Sequence, residues 1–122
     1  MDKKEISLVI GASENKEKYS FIASHRLLAK GYKVKLLGKE EGNIDGEPIL
    51  TGFPKFEKIH TITLYVGPKN QPQYYDYIIG LKPKRVIFNP GTENKEFMEL
   101  LLKKNIHAEE ACTLVLLSLN AY

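Results

Sequence analysis

Apolar residues along this chain gather in short runs that alternate with stretches of helical spacing. Ile6-Ser7-Leu8-Val9-Ile10 is rich in β-branched residues and stops at Gly11, as a buried parallel strand stops at a turn. From about Lys18, the apolar positions Tyr19, Ile22, Ala23, Leu27 and Ala29 keep near-helical spacing until Gly31, a residue suited to the left-handed conformation that closes a helix. Residues 32–37 alternate as a second strand ended by Gly38, which completes a βαβ unit. Residues 39–58 are rich in Gly, Pro and charge, with Ile44, Ile49 and Leu50 as anchors of a connecting segment or short extra strand. Residues 59–66 carry the clearest strand pattern and end at Gly67-Pro68; residues 73–81 then fit a helix closing near Gly80. Arg85-Val86-Ile87-Phe88 reads as a fourth strand, stopped by Asn89-Pro90-Gly91. Thr92 is placed to cap a third helix that buries Phe97, Met98, Leu100 and Leu101. A last short strand falls near Ile106-His107. The apolar run 112–119 fits helix or strand, and helix is preferred because Ala111, Leu114 or Val115, and Ser118 share one face. Alternating strands and helices predict an α/β fold: a three-layer, doubly wound parallel sheet of about five core strands with right-handed crossovers.

Composition narrows the class. A length of 122 residues, 43% hydrophobic and 27% charged, is that of one globular domain spanning 1–122. The net charge of +3 is small and its lysines are spread along the chain, so no nucleic-acid surface is expected, while a phosphate-bearing ligand would not be repelled. Cys112 is the single cysteine, which excludes an internal disulfide and fits a reducing, cytoplasmic compartment. The apolar run before Gly11 is too short for a signal peptide or a membrane span. The apolar 114–119 segment offers a surface for a homodimer.

On a doubly wound sheet, ligands bind at the carboxyl ends of the strands near the topological switch point. That rule selects the loop Gly11-Ala12-Ser13-Glu14-Asn15-Lys16, the end of the second strand, and the loops after Val66 and Phe88. A full dinucleotide fingerprint would repeat glycine where Ser13 and Lys16 stand, so the loop reads either as a phosphate cradle or as a plain strand end. Lys39, at the tip of the second strand, suits a phosphorylated ribose; Glu40 and Glu41 follow and could instead accept from free ribose hydroxyls. Asn89 or Asn94 could reach the same cleft. His25, His60 and His107 form no metal pair, and the carboxylates of Glu109-Glu110 beside Cys112 would raise a thiol pKa. Tyr74-Tyr75-Asp76-Tyr77 reads as a half-buried helix face. No catalytic constellation is evident.

Four segments together are similar to the small single-domain CoA-binding protein family, related to the CoA-binding domain of succinyl-CoA synthetase: VIGASENKEKYS (9–20), GYKVKLLGKEEGNIDGEPI (31–49), TLYVGP (63–68) and RVIFNPGTEN (85–94). The resemblance runs over nearly the whole chain. It implies a Rossmann-like fold with a five-stranded parallel core, holding coenzyme A across the carboxyl edge. Residue by residue it assigns a pyrophosphate loop to Gly11, Ala12, Ser13, Asn15, Lys18 and Ser20. Gly38 and Lys39 fall near the adenosine, and Val66, Pro68, Asn89, Pro90 and Gly91 line the rest of the cleft. The chain departs from the family where relatives carry Asn-Pro against Asn15-Lys16, and a Val-Asn-Pro-like strand end against Leu36-Leu37-Gly38. The leading reading is a CoA or acyl-CoA binding protein. The competing readings are an NADP-dependent oxidoreductase or CoA-ligase-like subunit, and an interaction domain that has lost its ligand.

Overall fold

In the computed structural model, which describes residues 1–122, seven strands form one sheet with helices on both faces. The elements in chain order are β1 (Ile6–Ile10), α1 (Tyr19–Ala29), β2 (Lys33–Leu37), β3 (Gly42–Ile44), β4 (Glu47–Leu50), β5 (Ile59–Leu64), α2 (Tyr75–Leu81), β6 (Arg85–Phe88), α3 (Lys95–Lys103), β7 (His107–Glu110) and α4 (Thr113–Ser118). Across the sheet the order is β3-β4-β2-β1-β5-β6-β7, and every neighbouring pair is parallel except β3 and β4. Leaving out β3, the chain winds outward in both directions from β1 and β5, the Rossmann-like arrangement. The switch point therefore lies between the carboxyl ends of β1 and β5.

Strand alternation divides the core. Leu8 and Ile10 of β1, Ile62 and Leu64 of β5, and Val86 and Phe88 of β6 pack with Ile78 of α2 and Phe97 and Leu101 of α3. Val9, Val34, Leu36 and Ile87 face the other way, onto Leu27 of α1 and Leu117 of α4. α1 ends as its glycine predicts. Gly31, at φ 89°, donates to the Leu28 carbonyl at 3.0 Å, and the Tyr32 amide reaches the Leu27 carbonyl at 3.1 Å. The α4 side also buries hydroxyls, each with a partner. Ser7 Oγ lies 2.7 Å from the Tyr122 hydroxyl, and Thr63 Oγ1 lies 2.7 Å from Thr113 Oγ1.

The structure differs from the sequence reading at several ends. The segment around Ile44 and Ile49 is a hairpin, β3–β4, turned by Asp45 and Gly46 at φ 51° and 92°. Ile44 and Ile49 are buried there while Leu50 is exposed. α2 starts at Tyr75, after two 3₁₀ turns each opened by a proline, Pro68–Asn70 and Pro72–Tyr74. It closes at left-handed Lys82 and not at Gly80, because Pro83 has no amide to extend the ladder. Asn94, not Thr92, caps α3 by accepting from the Phe97 amide at 3.2 Å. Thr92 instead closes the Asn89–Pro90–Gly91–Thr92 turn, its amide and hydroxyl both donating to the Asn89 carbonyl. Leu100 lies on the exposed side of α3. The last strand begins at His107 and extends to Glu110. The C-terminal run is helical, but Thr113 and Leu117 form its buried face, leaving Val115 and Leu119 51% and 68% exposed.

Burial pushes the phenols of Tyr65, Tyr77 and Tyr122 up to about 12. Their folded-state values lie above that of an unfolded tyrosine, about 10, so the stability they confer is complete below pH 10 and falls between about 10 and 12. Ultraviolet titration of phenolate should therefore find these three ionising late, with Tyr75 also raised by burial, and all seven tyrosines ionising together once the chain is denatured. A single step near pH 10 in the folded protein would contradict this burial.

Candidate functional site at the carboxyl edge

Where β1 ends, its loop is bound down by backbone on both sides. The Gly11 and Ala12 amides both donate to the Leu37 carbonyl at 2.9 Å, and the Tyr65 amide donates to the Ile10 carbonyl at 2.8 Å. Gly11 sits at φ 98°, and a Cβ there would come 2.8 Å from the Tyr65 carbonyl oxygen. Gly38 is tighter still: a Cβ would lie 2.3 Å from the Ala12 carbonyl oxygen. Both glycines are required by close approach of backbone, so the Gly11 and Ala12 amides belong to the framework. The amides that point to no acceptor in the chain come later, at Ser13, Glu14 and Lys16, and in the first turn of α1 at Tyr19 and Ser20. Lys18 is the N-cap of α1 and no side chain caps that helix. Ser13 Oγ accepts from the Asn15 amide at 3.1 Å, and Asn15 Oδ1 accepts from the Glu17 amide at 3.0 Å, which hold the loop open-handed toward solvent.

Above this loop lies a cleft of about 430 Å³ over the β1/β5 switch point. Of the residues singled out from sequence, Gly11, Ala12, Ser13, Asn15 and Lys18 line it from the first loop, Gly38 and Lys39 from the end of β2, and Val66 from the end of β5. Ser20 is buried beneath it, its carbonyl accepting from Ser24 Oγ at 2.7 Å. Pro68, Pro90 and Gly91 lie outside the lining and are exposed. Asn89 is outside as well and fully buried. Its amide donates to Thr63 Oγ1 at 2.7 Å and to the Leu64 carbonyl at 2.9 Å, and its oxygen accepts from the Thr113 amide at 2.9 Å. It ties β5, β6 and α4 together.

The lining also contains Glu14 of the first loop, Glu40 and Glu41 at the β2 end, Gly67 and Tyr74, and three residues that the sequence did not mark, Tyr65, Asn70 and Gln73. The Gly67–Asn70 turn is positioned by Gln71, which is fully buried and donates to the Val66 and Thr92 carbonyls at 2.8 and 2.7 Å. Asn94 Nδ2 in turn donates to Gln71 Oε1 at 2.9 Å. Nothing in a one-dimensional pattern marks Gln71, since its partners are 5 and 21 residues away. Tyr65 stands at the switch point, and burial raises its phenol. The histidines lie elsewhere. His25 pairs with Asp45 on the surface, burial lowers the pKa of His60 in β5, and His107 opens the edge strand β7. Cys112 is half-buried ahead of α4, and no cluster of three His, Cys, Asp or Glu could hold a metal ion.

A family model described as a CoA binding domain matches residues 6–118. The crystal structure of an uncharacterized protein is 40% identical over 98% of both chains, with a TM-score of 0.94. A conserved hypothetical protein from Pyrococcus furiosus is 29% identical over 92% of this chain and 97% of its own, with a TM-score of 0.80. A hypothetical protein from Pyrococcus horikoshii OT3 is 27% identical over 92% of this chain and 80% of its own, with a TM-score of 0.79. No curated protein matches the chain.

The close contact at Gly38 generates a direct test. Gly38→Ala should destabilise the protein by about 1–3 kcal/mol, because the Ala12 loop must move to admit a methyl group. Gly80→Ala, inside α2 with no atom within 4 Å of the new carbon, should stabilise it by roughly 0.5–1 kcal/mol. Urea denaturation of the two variants measures both, and shifts of the same sign would contradict the described packing at Gly38.

Proposed function

The chain belongs to the CoA binding domain family, and we propose that it binds coenzyme A or an acyl-CoA in the cleft above β1 and β5. The observation that carries this reading is the end of α1. An uncapped helix N-terminus, unpaired amides in the loop before it and the Lys18 ammonium converge on one side of the cleft, which suits a pyrophosphate. The adenosine then extends toward Gly38 and Lys39. The pantetheine lies toward Val66, Gly67, Asn70 and Tyr74, where the lining carries no charged side chain. Pro68, Asn89, Pro90 and Gly91 serve this half from behind, by fixing the turns that shape it. Residues 1–122 act in this reading as one CoA-binding unit, and the ligand is a small molecule rather than a nucleic acid. No helix is long and apolar enough to cross a membrane.

Ligand binding to the folded state alone raises the melting temperature, by the equivalent of about 2.7 kcal/mol at a hundredfold excess over the dissociation constant. CoA at millimolar concentration should raise it measurably in a thermal scan. Lys18→Glu, an exposed charge reversal, should leave the unliganded melting temperature nearly unchanged and weaken binding about tenfold or more. No shift with CoA, dephospho-CoA or ADP would contradict the proposal; a shift with NADPH alone would favour a reductase.

A further inference from the structure

From Ser13 to Glu17 the loop that carries the free amides makes one hydrogen bond to a distant part of the chain. Glu14 Oε2 accepts from the Asn43 amide of β3 at 3.0 Å, while the other bonds, to Ser13 Oγ, Asn15 Oδ1 and the Asn15 carbonyl, stay between Ser13 and Lys18. β3 is an edge strand, so this amide has no further strand to meet, and a carboxylate makes the stronger, charge-assisted kind of bond with it. The space over β3 is shaped for that side chain. Gly42 has no positive φ, and the three atoms nearest to a Cβ built there all belong to the Glu14 side chain, at 2.6, 2.7 and 2.8 Å. The hairpin is itself held in place. Asn43 Oδ1 accepts from the Gly46 amide at 2.8 Å, Ile44 is buried, and Asp45 pairs with His25 of α1. Lys16 and Lys18 have no acidic partner, so engaging Glu14 at β3 leaves both ammoniums to a ligand.

We infer that Glu14 is a positioning residue for the ligand: it pegs the loop to the β3–β4 hairpin, so that the Ser13, Glu14 and Lys16 amides are held in the conformation that meets the pyrophosphate. A loop pegged beforehand has less backbone freedom to lose on binding, which tightens binding without any contact between the carboxylate and the ligand. A carboxylate that merely lined an anion site would weaken binding instead. The two roles therefore predict opposite effects of removing it. The inference rests on the proposed binding of CoA at this loop.

Calorimetric titration of the full chain with CoA, together with ¹⁵N relaxation of the unliganded chain, tests it. Glu14→Ala should weaken CoA binding about tenfold and lower the order parameters of residues 13–17 from about 0.85 toward about 0.6. Glu14→Gln, whose side-chain carbonyl still accepts from the Asn43 amide, should restore both to near the wild-type values. Gly42→Ala should act as Glu14→Ala does, because the group it displaces is the flexible end of a side chain, and it should add nothing in the Glu14→Ala background. If Glu14→Ala and Glu14→Gln both bind CoA at least as tightly as the wild type, the inference is overturned and the proposed function stands. Order parameters unchanged in Glu14→Ala would overturn it equally, as would a Gly42→Ala effect that persists in full without Glu14. Wild-type protein that binds no CoA yet shows the relaxation changes would overturn the proposed function, and with it the role in binding, but not the peg.

Discussion

The Leu37 carbonyl is the point on which the carboxyl edge depends. Two consecutive amides, Gly11 and Ala12, converge on it at 2.9 Å, so the chain leaving β1 is drawn across the end of β2 before it turns up into α1. Ala12 then lies so close over residue 38 that only glycine fits beneath it. The next amides, from Ser13 onward, are thereby lifted clear of the sheet with no acceptor inside the chain. A helix N-terminus in the same place adds its dipole to them. An anion-accepting surface thus follows from backbone geometry, and Lys18 strengthens it without creating it.

The two halves of the cleft are built differently. On the β2 side its character is electrostatic, with exposed charged side chains and one carboxylate fixed against β3. On the β5 side it is shaped by buried neutral groups. Gln71 couples the ends of β5 and β6, Asn94 braces Gln71 from α3, and Asn89 joins β5 and β6 to α4. Every buried side-chain nitrogen and oxygen has a partner, so this half gains rigidity without the cost of unpaired polar groups. In the proposed reading the adenosine and pyrophosphate lie toward the first half and the pantetheine toward the second.

Strands with strong local signals were legible in the sequence. Ile6–Ile10 and Ile59–Leu64 are apolar enough, and Gly11 and Gly31 mark turns that need positive φ. β7 was harder to bound because His107–Glu110 is an edge strand whose identity comes from pairing with β6, not from its own composition. In α4 the apolar pattern pointed to the wrong face, since Thr113 turns inward to meet Asn89 and Thr63. The glycine loop was legible from its motif, but not that the Gly11 and Ala12 amides both donate to the Leu37 carbonyl. Gly38, a departure from the family pattern, is explained by Ala12 lying above it. The bond from Glu14 to the Asn43 amide and the bracing role of Gln71 were not legible, because both depend on partners brought together by the topology.

Amide chemical-shift mapping with added CoA tests the central claim most directly, because it locates a ligand without presuming which residues hold it. The account predicts that the largest shifts fall on Ser13–Tyr19, on Gly38 through Gly42, and on Gly67 through Tyr74, with β6 and β7 little affected at their amino ends. Shifts gathered instead at the opposite edge, around Lys82, Lys84 and Lys104 where a second pocket lies, would contradict it.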